Sequence, residues 1–373
     1  MNRLSRTLQS LRAHALAVAS LCVVALAPAQ GVGGGGGGSV LANGVLANGA
    51  PVTFQHLAQA PFQSSYQATR VRRFLGSNSE IVQVREQLML QGDGTRDSAF
   101  RLDFLDLIGS IPPSATAQAV WSEVYRNNAG LLHMHGGFHV TDPALAQQNY
   151  QIFDFGQATR IGRGVRRIVV FPTRTDKGIW VLDLDVVTGV ALYTGEYDSQ
   201  LRLISELETT SFALMGSAIQ VSSRGATKPA WSWRPRMTVS RFGDLQSANM
   251  RLGVFVPLQP AIGGTVSDYR QQFVQVTEDP VNGDQTVVLG YSDGIDEFFI
   301  LQSRSGGNPF LDHIATATIT SSAAHAIASY DDRAMRAYVF HEAGTIYWVV
   351  GSGSLQRLKD VSFRLCQQAV TGN

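Results

Sequence analysis

The densest group of chemistry-bearing side chains is His133-Met134-His135, with His139 four residues further on. On a strand, His133 and His135 would point to one face. A turn at Gly136-Gly137 would bring His139 alongside, making a short hairpin of residues 131–140. Three imidazoles suit zinc or copper. No carboxylate or thiol ligand is evident nearby, and a metal site needs a fixed outer shell. His133, His135 and His139 are therefore metal candidates, set against a solvated hairpin or a pH-responsive patch.

Asp183 and Asp185 have the spacing of paired carboxylates on one strand face. General acid–base work needs a cleft and separated pKa values. Beside a strand end and a turn, these two read as solvated, outward positions. His341-Glu342 lacks the second histidine of a zinc-protease helix. Gly351-Ser352-Gly353 and Gly216-Ser217 do not complete the strand–Gly-x-Ser-x-Gly–helix elbow of a hydrolase. Gly162-Arg163-Gly164 lies in a strand pattern and opens no helix, so it is not a dinucleotide loop. Cys366 reads as a packed thiol on a terminal helix. No catalytic residue and no cofactor is assigned, and the expected role is non-enzymatic.

The elements around these residues are mostly strands. Residues 66–74, 80–90 and 100–107 read as strands parted by glycine-rich turns. Ser114 reads as the cap of a helix reaching about Arg126, and Asp142-Pro143 opens a short helix, Asp as cap and Pro at the first helical position. Residues 159–171 read as one strand. Residues 179–187, 190–197 and 201–214 then form a three-strand meander turning at Thr188-Gly189 and Asp198-Ser199. Its alternating apolar and polar residues imply one buried and one wet sheet face. Trp121, Phe171 and Trp180 read as core, or as the lining of a concave apolar pocket. Arg70, Arg72, Arg73, Arg163, Arg166 and Arg167 read as a solvated basic face, or as a surface for an acidic partner or lipid phosphates. In the second half, strands are expected at 269–277, 286–291, 297–303, 334–340 and 345–350. Hairpin signals stand at Asn282-Gly283, Asp293-Gly294 and Ala343-Gly344. Leu355, Leu358, Val361 and Leu365 follow at helical spacing.

Arg3, Arg6 and Arg12 precede the apolar run of residues 15–27, and Ala27-Pro28-Ala29 offers small residues to a signal peptidase. Residues 1–29 therefore read as a signal peptide, and residues 30–60 as a disordered glycine-rich linker with the unbroken run Gly33–Gly38. Without residues 1–29 the chain would carry 27 Lys+Arg (30 minus three) against 29 Asp+Glu, a net charge near −2. That balance excludes the basic character of a nucleic-acid partner. Cys366 would be the one remaining cysteine, so the expected exported, periplasmic protein must be held by its core and not by a disulfide.

Four segments carry a family resemblance. They are residues 159–173 (TRIGRGVRRIVVFPT), residues 180–212 with the Asp185-x-x-Thr188-Gly189 turn, residues 289–300 (LGYSDGIDEFFI), and residues 345–363 (TIYWVVGSGSLQRLKDVSF). In this order the chain resembles the MucB/RseB family of exported sigma-factor regulators. The glycine-rich leader and residues 112–148 fall outside the match. The resemblance implies an α+β protein of two domains. Residues 61–221 would form a LolA/RseB-like half-open antiparallel β-barrel with covering helices. Residues 222–249 would be a connector, and residues 250–373 a smaller C-terminal α+β domain. It also implies a membrane-anchored anti-sigma factor as partner and a lipid or lipopolysaccharide as ligand, with no partner-contacting residue assigned. The competing readings are a periplasmic lipid or lipoprotein carrier on the same fold, and a metal-binding periplasmic protein.

Overall fold

The computed structural model describes residues 51–75, 81–96, 98–108, 118, 119, 121, 122, 125, 133, 137–175, 177–216, 238–242, 244–249, 267–278, 283, 285–304, 318–322, 325–332, 335–342, 344–351 and 355–371. The residues expected as a signal peptide, the glycine run and most of the expected connector lie outside these residues. Among the described residues no helix is long and apolar enough to cross a membrane.

Two antiparallel sheets of eight strands each make up the framework. The first contains β1 (Tyr66–Leu75), β2 (Ile81–Gln91), β3 (Ala99–Ile108), β4 (Tyr150–Arg160), β5 (Arg163–Pro172), β6 (Ile179–Asp185), β7 (Ala191–Tyr197) and β8 (Leu203–Leu214). Its order is β3-β2-β1-β8-β7-β6-β5-β4, so β3 and β4 are the edges. Among the described residues the sheet is open, and a half-open barrel describes it only loosely. The second sheet contains β9 (Thr238–Phe242), β10 (Arg270–Glu278), β11 (Gln285–Ser292), β12 (Glu297–Arg304), β13 (Thr318–Ser322), β14 (His325–Asp332), β15 (Met335–Glu342) and β16 (Thr345–Gly351). Its order is β13-β14-β15-β16-β12-β11-β10-β9. Among the described residues, the helices with full bounds are α1 (Phe54–Gln63), α2 (Pro143–Asn149), α3 (Leu245–Asn249) and α4 (Leu355–Thr371).

The meander forms as expected, but of its three strands only β8 keeps exposed positions along its length. Every residue of β6 is buried, polar and apolar alike, because both faces of the strand are covered. The single strand expected over 159–171 is two. Ile161 (φ 45°) and Gly162 (φ 75°) turn the chain between β4 and β5. Left-handed backbone at a β-branched residue is strained, so the neighbouring glycine carries much of this hairpin's tightness. The linker expected to reach residue 60 ends earlier. Thr53 Oγ1 accepts from His56 N at 3.2 Å and caps α1, which buries Phe54, Leu57 and Ala60. Residues 52–60, placed in the linker, thus belong to the fold.

The expected Asp142 cap is present: its carboxylate accepts from the Ala144 and Leu145 amides at 3.0 Å and starts α2. The described residues within 114–126 are helical, and the expected Ser114 cap lies outside the described residues. Of the hairpin expected over 131–140, residues 131, 132 and 134–136 lie outside the described residues, and the described ones do not form it. His133 has helical backbone, and residues 137–140 form no strand. In the second sheet, Leu358, Val361, Leu365 and Cys366 of α4 pack into a core with Val274, Leu289, Phe298, Phe340 and Val349. The apolar stripe and the buried Cys366 therefore lie where the spacing placed them.

Candidate functional site

Helix α1 lies on one face of the first sheet and joins two apolar clusters there. Phe54 and Leu57 pack with Ile168, Val170, Trp180 and Leu182. Phe62 at the other end packs with Tyr66, Leu88, Leu90, Phe100 and Val190, and partly buried Trp121 adjoins that second cluster. Phe138 meets Trp180 edge-on at 5.5 Å between ring centroids. Trp180 and Phe171 do not share a lining. Phe171 sits on the opposite face with Val169, Ile179, Val181 and Tyr193, as the two-residue strand period requires.

The Asp185-x-x-Thr188-Gly189 turn holds α1 in place. Asp185 Oδ2 accepts from the Thr188 amide (3.0 Å) and hydroxyl (2.8 Å), while Arg163 grips the carboxylate with two bonds of 2.8 and 3.0 Å. Gly189 has φ 74°, and a Cβ there would stand 2.8 Å from the Cβ of Ala60 in α1. A side chain at 189 would push the helix off the sheet. Asp185 is therefore a buried turn-former and not the solvated group expected. Asp183 is buried as well, between Arg160 Nε at 2.9 Å and Arg167 Nε at 2.7 Å.

The arginines expected as a solvated or partner-facing surface are all occupied by carboxylates of this chain. Arg73 pairs with Glu206 and Glu208, Arg166 with Asp154, and Arg167 with Asp183. Strand register explains the choice: Arg70 stands opposite Glu86, Arg73 opposite Glu206, and Arg167 opposite Asp183. Arg70, Arg72, Glu86 and Tyr125 form the most enclosed of these groups. Arg72 donates to Glu86 at 3.1 and 3.2 Å, Arg70 lies 2.5 Å from the same carboxylate, and the Tyr125 hydroxyl donates to it from the covering helical segment. Burial works to raise the Glu86 carboxyl, but Arg70 and Arg72 outweigh it and hold the group at about 2. Burial and the Glu86 charge push the Tyr125 phenol up. A buried pair repays little beyond its desolvation, but removing one partner strands the other charge.

A second polar assembly links the two sheets. The end of β11 at Tyr291-Ser292 and the following Asp293-Gly294 turn sit against α2. Thr141 N donates to Gly294 O (2.8 Å), Asn149 Nδ2 to Asp293 O (2.8 Å), and Tyr150 Oη to Asp293 Oδ2 (2.9 Å). Gly294 has φ 107°, and a Cβ there would lie 2.3 Å from Ala146 N. Ile295 enters the same apolar cluster as Trp180 and Leu182. Lys177, from the β5–β6 connection, reaches Asp293 at 2.5 Å and also pairs with Asp268. No sequence signal marked Lys177, because its partners lie some ninety to a hundred and twenty residues away.

His133 stacks on Phe100 with ring centroids 4.1 Å apart, and His139 meets it edge-on at 6.4 Å. His135 lies outside the described residues. Among the described residues no three His, Cys, Asp or Glu side chains are grouped to hold a metal ion.

No family model matches the chain, and no curated protein matches it. Solved structures similar in fold include MucB in complex with MucA(peri), at 17% identity and TM-score 0.42, covering 82% of this chain and 94% of that one. The Pseudomonas aeruginosa MucA/MucB complex follows at 16% identity and TM-score 0.41, covering 82% of this chain and 94% of that one. A putative outer membrane lipoprotein-sorting protein domain from Vibrio parahaemolyticus is similar at 10% identity and TM-score 0.18, covering 45% of this chain and 94% of that one.

Proposed function

We propose that this chain is an exported, non-enzymatic binding protein. It holds the extracytoplasmic part of a membrane-anchored anti-sigma factor and lets go when a lipid or lipopolysaccharide ligand is bound. The observation that carries this reading is the work done by the residues behind the family resemblance. Asp185, Thr188 and Gly189 seat α1 on the first sheet. Asp293 and Gly294 seat the second sheet on the first. The motif residues thus build the covered sheet and its attachment, which is what a two-unit binding scaffold needs. The paired arginines favour capture of apolar or peptidic material over recognition of free phosphate, since their charge is already met within the chain.

Ligand and partner would act on each other by favouring different arrangements of the two units, each weakening the other's binding. The test is a pull-down from envelope extract with lipid analysis of the eluate. Recovery of a membrane-anchored anti-sigma factor, displaced by added lipid, supports the proposal. Recovery of acyl-chain material with no second protein overturns it in favour of a carrier. That second reading has its own support in the open sheet with a helix laid across one apolar face.

A further inference from the structure

The joint between the sheets encloses two carboxylates and two cations, and a third carboxylate at its edge, Asp268, competes for the same lysine. Asp293 and Asp296 both lie on the β11–β12 turn and are buried, as are Lys177 and Arg357. Asp293 takes the larger share of the positive charge. It receives Lys177 at 2.5 Å, the Tyr150 hydroxyl at 2.9 Å, and the amides of Ile295 (3.0 Å) and Asp296 (2.9 Å). Asp296 has Arg357 Nη1 at 3.3 Å, and that same nitrogen donates to the Tyr269 hydroxyl at the shorter distance of 2.6 Å. Lys177 is further divided, since it also pairs with Asp268, to which the rim residue Arg174 adds a contact at 3.4 Å. A weakly compensated carboxylate in a dry site either takes up a proton or weakens the contact that encloses it.

We propose that this joint is a proton-sensitive latch, in which protonation of Asp296 tightens the seating of the β11–β12 turn on α2 and its ionisation loosens it. The groups facing Asp296 agree. Asp293 on its own turn repels its charge. Tyr150 at the start of β4 and Tyr269 ahead of β10 are neutral phenols whose pKa values burial and these aspartates raise further. Arg357 of α4 and Lys177 pull the other way but are shared. Burial and the Asp293 charge together push the Asp296 carboxyl up to about 6, against Arg357 and Lys177. The sign follows from linkage. A carboxyl whose pKa is higher in the seated state binds its proton more tightly there, so seating strengthens as pH falls through about 6 and weakens as pH rises past it. If unseating returns Asp296 to an ordinary value, the seating equilibrium gains about tenfold between pH 7.5 and 5.

The Thr141 amide reports this directly, because its hydrogen bond to the Gly294 carbonyl spans the joint. In the full chain, its hydrogen-exchange protection, corrected for intrinsic rates, should rise about tenfold from pH 7.5 to 5. The Val181 and Val287 amides, in the two sheet interiors, should not follow it. Asp296→Asn should hold the Thr141 protection level across that range. A flat wild-type profile, or an Asp296→Asn profile with the wild-type slope, overturns the latch. Should Asp296→Asn fail to fold, the wild-type Asp296 side-chain carboxyl resonance still decides. A titration midpoint near 6 supports the latch, and no titration between pH 5 and 7 overturns it. None of these readouts depends on which partner the protein holds.

Discussion

Lys177 Nζ sits 2.5 Å from Asp293 Oδ2 across 116 residues of chain, and neither side chain meets solvent. This pair fastens a loop of the first sheet to a turn of the second. Removing one partner strands the other charge in a dry site, which costs about 3–5 kcal/mol, whereas replacing both is far milder. Lys177→Met should therefore lower the free energy of unfolding, measured by urea denaturation, by about that amount. Lys177→Met with Asp293→Asn should recover much of the loss. Additive single effects would show that the two residues are not coupled.

Much of the framework was legible in the sequence because it is local. The turns at Thr188-Gly189 and Gly344, the Asp142 cap and the α4 stripe all depend on neighbours a few residues away. What failed depended on distant partners. Asp183 and Asp185 read as wet because they stand near a strand end and beside a turn. Arg160, Arg163 and Arg167 from the adjoining hairpin close over them. The Arg167–Asp183 pairing could have been found, since both residues stand at matching distances from the β5–β6 connection. Lys177 could not, because no local pattern links it to a turn in the other sheet. Helix α1 was hidden by the glycine-rich composition just before it, although Thr53 and the Phe54, Leu57 spacing carry a cap and a face.

The histidine group gives a sharper outcome than its spacing suggested. His133 is buried and stacked on Phe100. An ion would have to enter the covered interior to reach the edge of its imidazole. Zinc titration followed by histidine NMR should leave the His133 resonances in place. A joint shift of His133, His135 and His139 at one equivalent of zinc would instead establish a three-imidazole site.

Gly189 tests how α1 is held. Its positive φ disfavours any side chain, and Ala60 occupies the space a Cβ would need. Gly189→Ala should destabilise the protein by about 1–3 kcal/mol. It should also cut protection of the Leu57 amide, which bonds to Thr53 O at 3.1 Å in the first turn of α1. Adding Ala60→Gly removes the collision but not the backbone strain, so stability should return only in part. Full loss of Leu57 protection with no recovery in the double variant would mean that strain, and not the helix contact, dominates.

Glu86 sets the acid limit of the first sheet. Its carboxyl is enclosed with Arg70, Arg72 and Tyr125, and despite burial those arginines hold it at about 2, below the ordinary 4.5. A carboxyl depressed in the folded state adds stability that is full above the unfolded value and lost as pH falls toward the folded one. A difference of that size corresponds to about 3 kcal/mol. Glu86→Gln should thus be less stable than wild type by at least about 3 kcal/mol at pH 7, because it also leaves two buried guanidiniums without their counter-charge. Denaturation profiles of both proteins should converge as pH drops from 4.5 to 2. Parallel profiles over that interval would place the acid sensitivity at another carboxylate.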